Sequence, residues 1–162
     1  GTANMVRLCM RLGCRLIYLS TDYVFRGDRG GYREEDAVHP VNKYAWSKLG
    51  GECAARLYDR ALIVRTSFGP ETFPHPAAFV DQWTSRESVS TIAEKLAELI
   101  ARDVTGVVHV GGPRRSVREY ALALGASDDL GAISIHDVGF SVPEDTSLDC
   151  RRYDDLVRGR GG

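Results

Sequence analysis

The chain alternates short apolar runs with stretches of helical spacing, and this alternation restricts its possible folds more than any other feature. Arg15–Ser20 (R-L-I-Y-L-S), Ala61–Thr66 (A-L-I-V-R-T) and Val107–Val110 (V-V-H-V) are too short for buried helices. Runs of this kind are strands covered on both faces, as parallel strands usually are. Thr2–Leu12 carries Met5, Leu8, Cys9 and Leu12 at helical spacing, and Gly13 is placed to stop the helix. Asn42 is a suitable cap for a helix from Lys43 to about Tyr58. Thr91 with Glu94 forms a capping box for a helix over 92–102, and Ser116 with Glu119 another for a helix through Leu124. Ile133 and Ile135 alternate with polar neighbours as in a short strand, and a helical turn is expected after D-T-S-L-D-C. The fold class is therefore α/β, with parallel strands near 15–20, 61–66 and 107–110 flanked by helices.

The length of 162 residues suits one domain, taken as 1–157, with the final R-G-R-G-G (158–162) read as a disordered tail. A hydrophobic content of 43% suffices for a core, and a formal net charge of −1 gives no nucleic-acid footprint. No apolar run reaches membrane-spanning length, and the opening G-T-A-N-M-V-R lacks the pattern of a secretion signal, so neither membrane nor nucleic acid is an expected partner. Cys9, Cys14, Cys53 and Cys150 show no C-x-x-C pair and no metal-ligand spacing, as in a cytoplasmic protein with reduced thiols and no metal. The four histidines (39, 75, 109 and 136) are scattered and are read as structural or surface residues. Glu34, Glu35 and Asp36 follow the turn-rich G-D-R-G-G and are read as a solvated loop.

The chemistry concentrates between Ser20 and Lys48, where S-T-D-Y-V-F is followed by P-V-N-K-Y-A-W-S-K. Tyr44 and Lys48, four residues apart, project from one helix face. A phenol has a free pKa near ~10, and a neighbouring ammonium lowers it by favouring the phenolate. Such a tyrosine passes a proton to or from a substrate oxygen. The hydroxyl of Thr21, at a strand's carboxyl end, is placed to hold the same oxygen, and ligands of open α/β sheets bind at those ends.

These motifs resemble the extended branch of the short-chain dehydrogenases/reductases, and within it the dTDP-4-dehydrorhamnose reductase (RmlD-like) family most closely. The resemblance implies a Rossmann-like sheet and an NADPH- or NADH-dependent reduction of a nucleotide-linked keto-sugar. It assigns catalysis to Thr21, Tyr44 and Lys48, cofactor contacts to Tyr44, Lys48 and Ser67, and the substrate side to Thr21, Asp22 and Tyr23.

The chain also departs from that family. No G-x-G-x-x-G or near-match precedes Ser20, so the turn that receives a cofactor pyrophosphate is missing from these residues. The chain looks like the C-terminal part of such a protein, with the preceding βαβαβ half absent, and the expectation is either a poorly stable monomer or a second chain covering the exposed sheet edge. A-F-V runs directly into D-Q-W, where the family has a further helix and strand, so the substrate lobe looks trimmed. That weakens any carry-over of sugar-site roles to Asp81, Gln82, Ser147 and Asp149. Two alternatives stay open beside the reductase: a non-catalytic relative like the regulatory subunit of methionine adenosyltransferase, and an inactive truncated product.

Overall fold

The computed structural model describes residues 1–159. In chain order its elements are α1 (Thr2–Leu12), β1 (Leu16–Thr21), α2 (Lys43–Ala55), β2 (Ala61–Thr66), β3 (Phe68–Gly69), β4 (Ala77–Phe79), β5 (Trp83–Thr84), β6 (Glu87–Ser88), α3 (Val89–Ile100), β7 (Gly106–Val110), β8 (Arg115–Ser116), α4 (Val117–Ala123), β9 (Gly131–Ile133) and α5 (Arg151–Arg158). The central sheet runs β1–β2–β7 with both pairings parallel, and its register aligns Thr21 with Thr66 and Thr66 with Val110.

Every residue of β2 is buried, which is why that run reads apolar without alternation. On one face Leu16, Ala61, Ile63 and Val107 pack with Val6 and Cys9 of α1 and Ala55 of α2. On the other, Leu62, Val64, Val108 and Val110 pack with Ile92 and Leu99 of α3 and Tyr153 of α5. Helices thus cover both faces of a parallel sheet, as the apolar runs require. β1 forms one edge, where Leu19 is 41% exposed. A small lobe follows β2: β4 pairs with β9, β5 with β8, and Ala78, Val117 and Ala121 form its core beneath α4.

Gly13 ends α1 in the left-handed conformation, and Asn42 caps α2 through its side chain. Other boundaries move. α2 ends at Ala55 rather than near Tyr58, because Leu57 and Tyr58 turn back onto the carbonyls of Ala54 and Ala55. α3 begins at Val89 and is capped by Ser88, not by Thr91 and Glu94. The pairing of β6 with β3 ends at Ser88, whose Oγ accepts the Thr91 N–H at 3.3 Å. The expected strand through Ile135 stops at Ile133, because Ser134 caps a 3-10 turn at Ile135–Asp137.

Glu34 corrects the reading of the acidic loop as simply solvated: its Oε1 accepts the His109 N–H at 3.0 Å, and its carbonyl accepts a bond from Arg65. The turn after the D-T-S-L-D-C stretch is a full eight-residue helix, α5. Arg158 is its last residue and Gly159 its cap, so the expected tail cannot start at 158; residues 160–162 lie outside the described residues. No helix among the described residues is long and apolar enough to cross a membrane.

Candidate functional site

Helix α2 carries Tyr44, Lys48 and Glu52 at successive i,i+4 positions, so the three form one stripe. The stripe passes from solvent to core. Tyr44 is 57% exposed, Lys48 is half-buried and Glu52 is fully buried. Glu52 receives a forked pair of bonds from Arg65 of β2, Nε to Oε1 at 3.0 Å and a terminal guanidinium nitrogen to Oε2 at 2.8 Å. Ser20 at the end of β1 donates to the same carboxylate. A buried ion pair holds only when its remaining bonding capacity is satisfied. Here Arg65 also donates to the Glu34 carbonyl at 3.3 Å and faces His109 Nε2 at 3.5 Å. The network pins α2 to the carboxyl ends of β1 and β2 and so sets where Tyr44 and Lys48 stand.

Among the described residues, no hydrogen bond or ion pair engages the Tyr44 hydroxyl or the Lys48 ammonium. Lys48 Nζ lies 4.7 Å from the centroid of the Tyr18 ring. Burial holds the ammonium below its ordinary pKa, with the Glu52 carboxylate pulling the other way.

Thr21 ends β1 and caps the 3-10 turn Asp22–Val24. Its Oγ1 accepts the Tyr23 N–H at 3.3 Å and donates to Asp22 Oδ1 at 3.0 Å. Asp22 is 3% exposed and accepts a second hydroxyl, that of Thr146, at 2.7 Å. Burial raises its pKa, while Thr146, Arg86 and Thr21 oppose the rise. Tyr23 is half-buried; burial raises its phenol, the Asp22 carboxylate adds, and Arg86 opposes. Ser67 is buried one residue past β2 and lies 3.5 Å from Arg86 Nε. Arg86 therefore draws Asp22, Tyr23 and Ser67 into one polar cluster at the carboxyl end of the sheet, as open α/β sheets place their ligands. Thr21 belongs to that cluster, but its hydroxyl is spent on Asp22 and no hydrogen bond joins it to Tyr44.

Arg86 is not legible in the sequence, because S-R-E carries no spacing signal. Nor is the Glu52–Arg65 pair, although Glu52 continues the spacing of Tyr44 and Lys48. Thr66 Oγ1, beside Ser67, is buried and has no hydrogen-bond partner among the described residues. Three of the four weak carry-overs are engaged outside this cluster: Asp81 accepts from Ser134 and Ile135, Ser147 accepts the Gly31 N–H, and Asp149 grips Arg151. The fourth, Gln82, lies in the cluster, beside the Tyr23 phenol. A cavity of about 520 Å³ between the Arg33–Glu35 loop and α5 is lined by none of Thr21, Asp22, Tyr23, Tyr44, Lys48 and Ser67. No group of three His, Cys, Asp or Glu residues among the described residues is placed to hold a metal ion.

The sequence profile of the RmlD substrate-binding domain matches residues 1–139. Methionine adenosyltransferase 2 subunit beta of Bos taurus is 28% identical over 195 aligned residues, covering 99% of this chain and 58% of that protein. The dTDP-4-dehydrorhamnose reductase of Mycobacterium tuberculosis is 45% identical over 74 residues, covering 42% of this chain and 24% of the enzyme. A hypothetical dTDP-4-dehydrorhamnose reductase from Sulfolobus tokodaii superposes with a TM-score of 0.82 at 31% identity, covering 95% of this chain and 62% of that structure. The chain thus spans little more than half the length of the bovine relative.

Proposed function

The chain belongs to the RmlD substrate-binding domain family, and on that premise we propose that it carries the sugar-binding and proton-donating part of an NAD(P)-dependent reductase of nucleotide-linked keto-sugars, similar to dTDP-4-dehydrorhamnose reductase. One observation carries the proposal. Tyr44 and Lys48 stand one turn apart on a helix anchored by the buried Glu52–Arg65 pair, with neither polar end in a hydrogen bond or ion pair among the described residues.

In this reading a bound nicotinamide supplies the hydride. Tyr44 gives its phenolic proton to the keto oxygen as negative charge develops there. The Lys48 ammonium favours the phenolate left behind. Thr21 turns its hydroxyl from Asp22 to the same oxygen, which leaves Asp22 the bond from Thr146. Tyr23 and Arg86 face the nucleotide-sugar. Tyr44, Lys48 and Ser67 fit the nicotinamide–ribose end of such a cofactor, and the unpartnered Thr66 hydroxyl adds a donor there. No G-x-G-x-x-G turn between a strand and a helix is present among these residues to take the pyrophosphate. A second chain along the free edge of β1 belongs to the same proposal, and sedimentation at several concentrations tests it.

The enzymatic test joins this chain to the dinucleotide-binding segment of a related reductase and follows ketone reduction. Tyr44→Phe is expected to lower turnover by about 10²-fold, the size of lost acid catalysis. Turnover near that of the unsubstituted protein overturns the assignment.

A second reading is a non-catalytic subunit, and one observation favours it: the bovine methionine adenosyltransferase subunit aligns over 99% of this chain. That reading expects complex formation with a methionine adenosyltransferase catalytic chain, unchanged by Tyr44→Phe, and no ketone reduction. Co-sedimentation of the two purified proteins separates the readings.

A further inference from the structure

We propose that Tyr18 is a positioning residue that seats Lys48, holding the lysine ammonium over its ring face and so fixing where that charge stands beside Tyr44. The proposal rests on the roles given to Tyr44 and Lys48 above.

Three contacts support it. The Tyr18 hydroxyl donates to the backbone carbonyl of Lys48 at 3.0 Å. The ring tip fills a notch at Gly51, where a Cβ would lie 2.0 Å from the phenolic oxygen and 2.4 Å from Cζ. Lys48 Nζ lies 4.7 Å from the ring centroid. The first two contacts clamp α2 onto β1 and would do so whatever side chain stood at position 48. The third is not needed for a clamp, because the four-carbon stem of a half-buried lysine is long enough to take its charge to water.

The direction of the electrostatics makes this contact matter. The face of an aromatic ring is negative, so a cation above it is favoured in its charged form. Burial acts against the Lys48 charge and lowers its pKa. The ring therefore offsets part of that loss and keeps an ammonium where burial alone would favour a neutral amine. Tyr18 remains a hydroxyl donor in this role: burial raises its own pKa, and the nearby Glu52 carboxylate adds to the rise.

The chain has three lysines, Lys43, Lys48 and Lys95, so the side-chain signals of the full chain labelled with ¹³C,¹⁵N-lysine are resolvable by NMR, and Lys48→Arg assigns the one of interest. The ring face is expected to move the Lys48 ε-protons upfield of those of Lys43. Tyr18→Phe keeps the face and is expected to keep both this shift and the Lys48 titration. Tyr18→Leu keeps apolar bulk without the face; the upfield shift is expected to vanish and Lys48 to titrate about half a pH unit lower. Lys48 ε-protons at the Lys43 position in the unsubstituted chain overturn the proposal even if Tyr18→Leu does not fold. An unchanged titration in folded Tyr18→Leu also overturns it. Neither readout requires turnover, so absence of ketone reduction would reject the reductase reading without touching this one.

Discussion

His109 lies in the core, and no carboxylate among the described residues is hydrogen-bonded to its ring. Its Nδ1 is 3.1 Å from the Tyr32 carbonyl and its Nε2 faces Arg65, so the neutral tautomer protonated at Nδ1 satisfies both neighbours. Burial, with the Arg65 charge adding to it, lowers its pKa from 6.5 to about 4. Between those values the unfolded chain binds the proton and the folded chain does not, so stability rises with pH across that window and falls as the medium is acidified through it. The shift corresponds to roughly 3 kcal/mol at full development. Urea titrations from pH 7 down to pH 4.5 should therefore show a loss of stability that His109→Asn reduces; equal slopes in the two proteins would contradict the buried neutral ring. At this scale the sequence was uneven. The spacing of Tyr44 and Lys48 was plain, because one element fixes it. The burial of His109 and the pairing of Glu52 with Arg65 were not, because their partners come from other elements.

Elements were legible where a single run carries its own period or cap. The three long strands are continuous apolar runs, and the Ser116–Glu119 capping box of α4 is complete in the structure. The two-residue strands β3, β5, β6 and β8 have no period to read, and their pairings join residues far apart in the chain. The misplaced start of α3 follows from this, since the β3–β6 pairing is what brings Ser88 to the cap. Losing a serine cap costs about 1 kcal/mol. Ser88→Ala should therefore destabilise the chain by about that amount, and Thr91→Ala, which leaves the capped N–H in place, by less. Chemical denaturation of the two variants tests the order. If Thr91→Ala proved the more costly, the helix would start where its sequence suggests.

At the scale of the whole molecule, the parallel sheet covered by helices followed from apolar runs spaced by helical patterns, while the small lobe and the Arg86 cluster depend on long-range folding that no local pattern announces. The same scale decides how this chain treats a dinucleotide. In parallel α/β folds, affinity for the pyrophosphate comes from backbone N–H groups at a helix N-terminus, reached through a glycine turn after a strand. β1 leads instead into Thr21–Asp22–Tyr23, whose turn is capped by a threonine side chain and closed over a buried carboxylate. β2 leads into Ser67 and Phe68, which enter another strand rather than a helix. β7 leads into Gly111 and Gly112; a Cβ at Gly112 would collide with the Glu87 carboxylate, so the Glu87 side chain, paired with Arg115, already fills the approach that a phosphate would need. None of the three strand ends offers a cradle for the pyrophosphate, and Tyr44, Lys48 and Ser67 touch at most the nicotinamide end. Calorimetric titration of the purified 162-residue chain with NADPH and with NADH is therefore expected to give weak binding or none. A micromolar dissociation constant for either would show that one of these strand ends opens to take the phosphates.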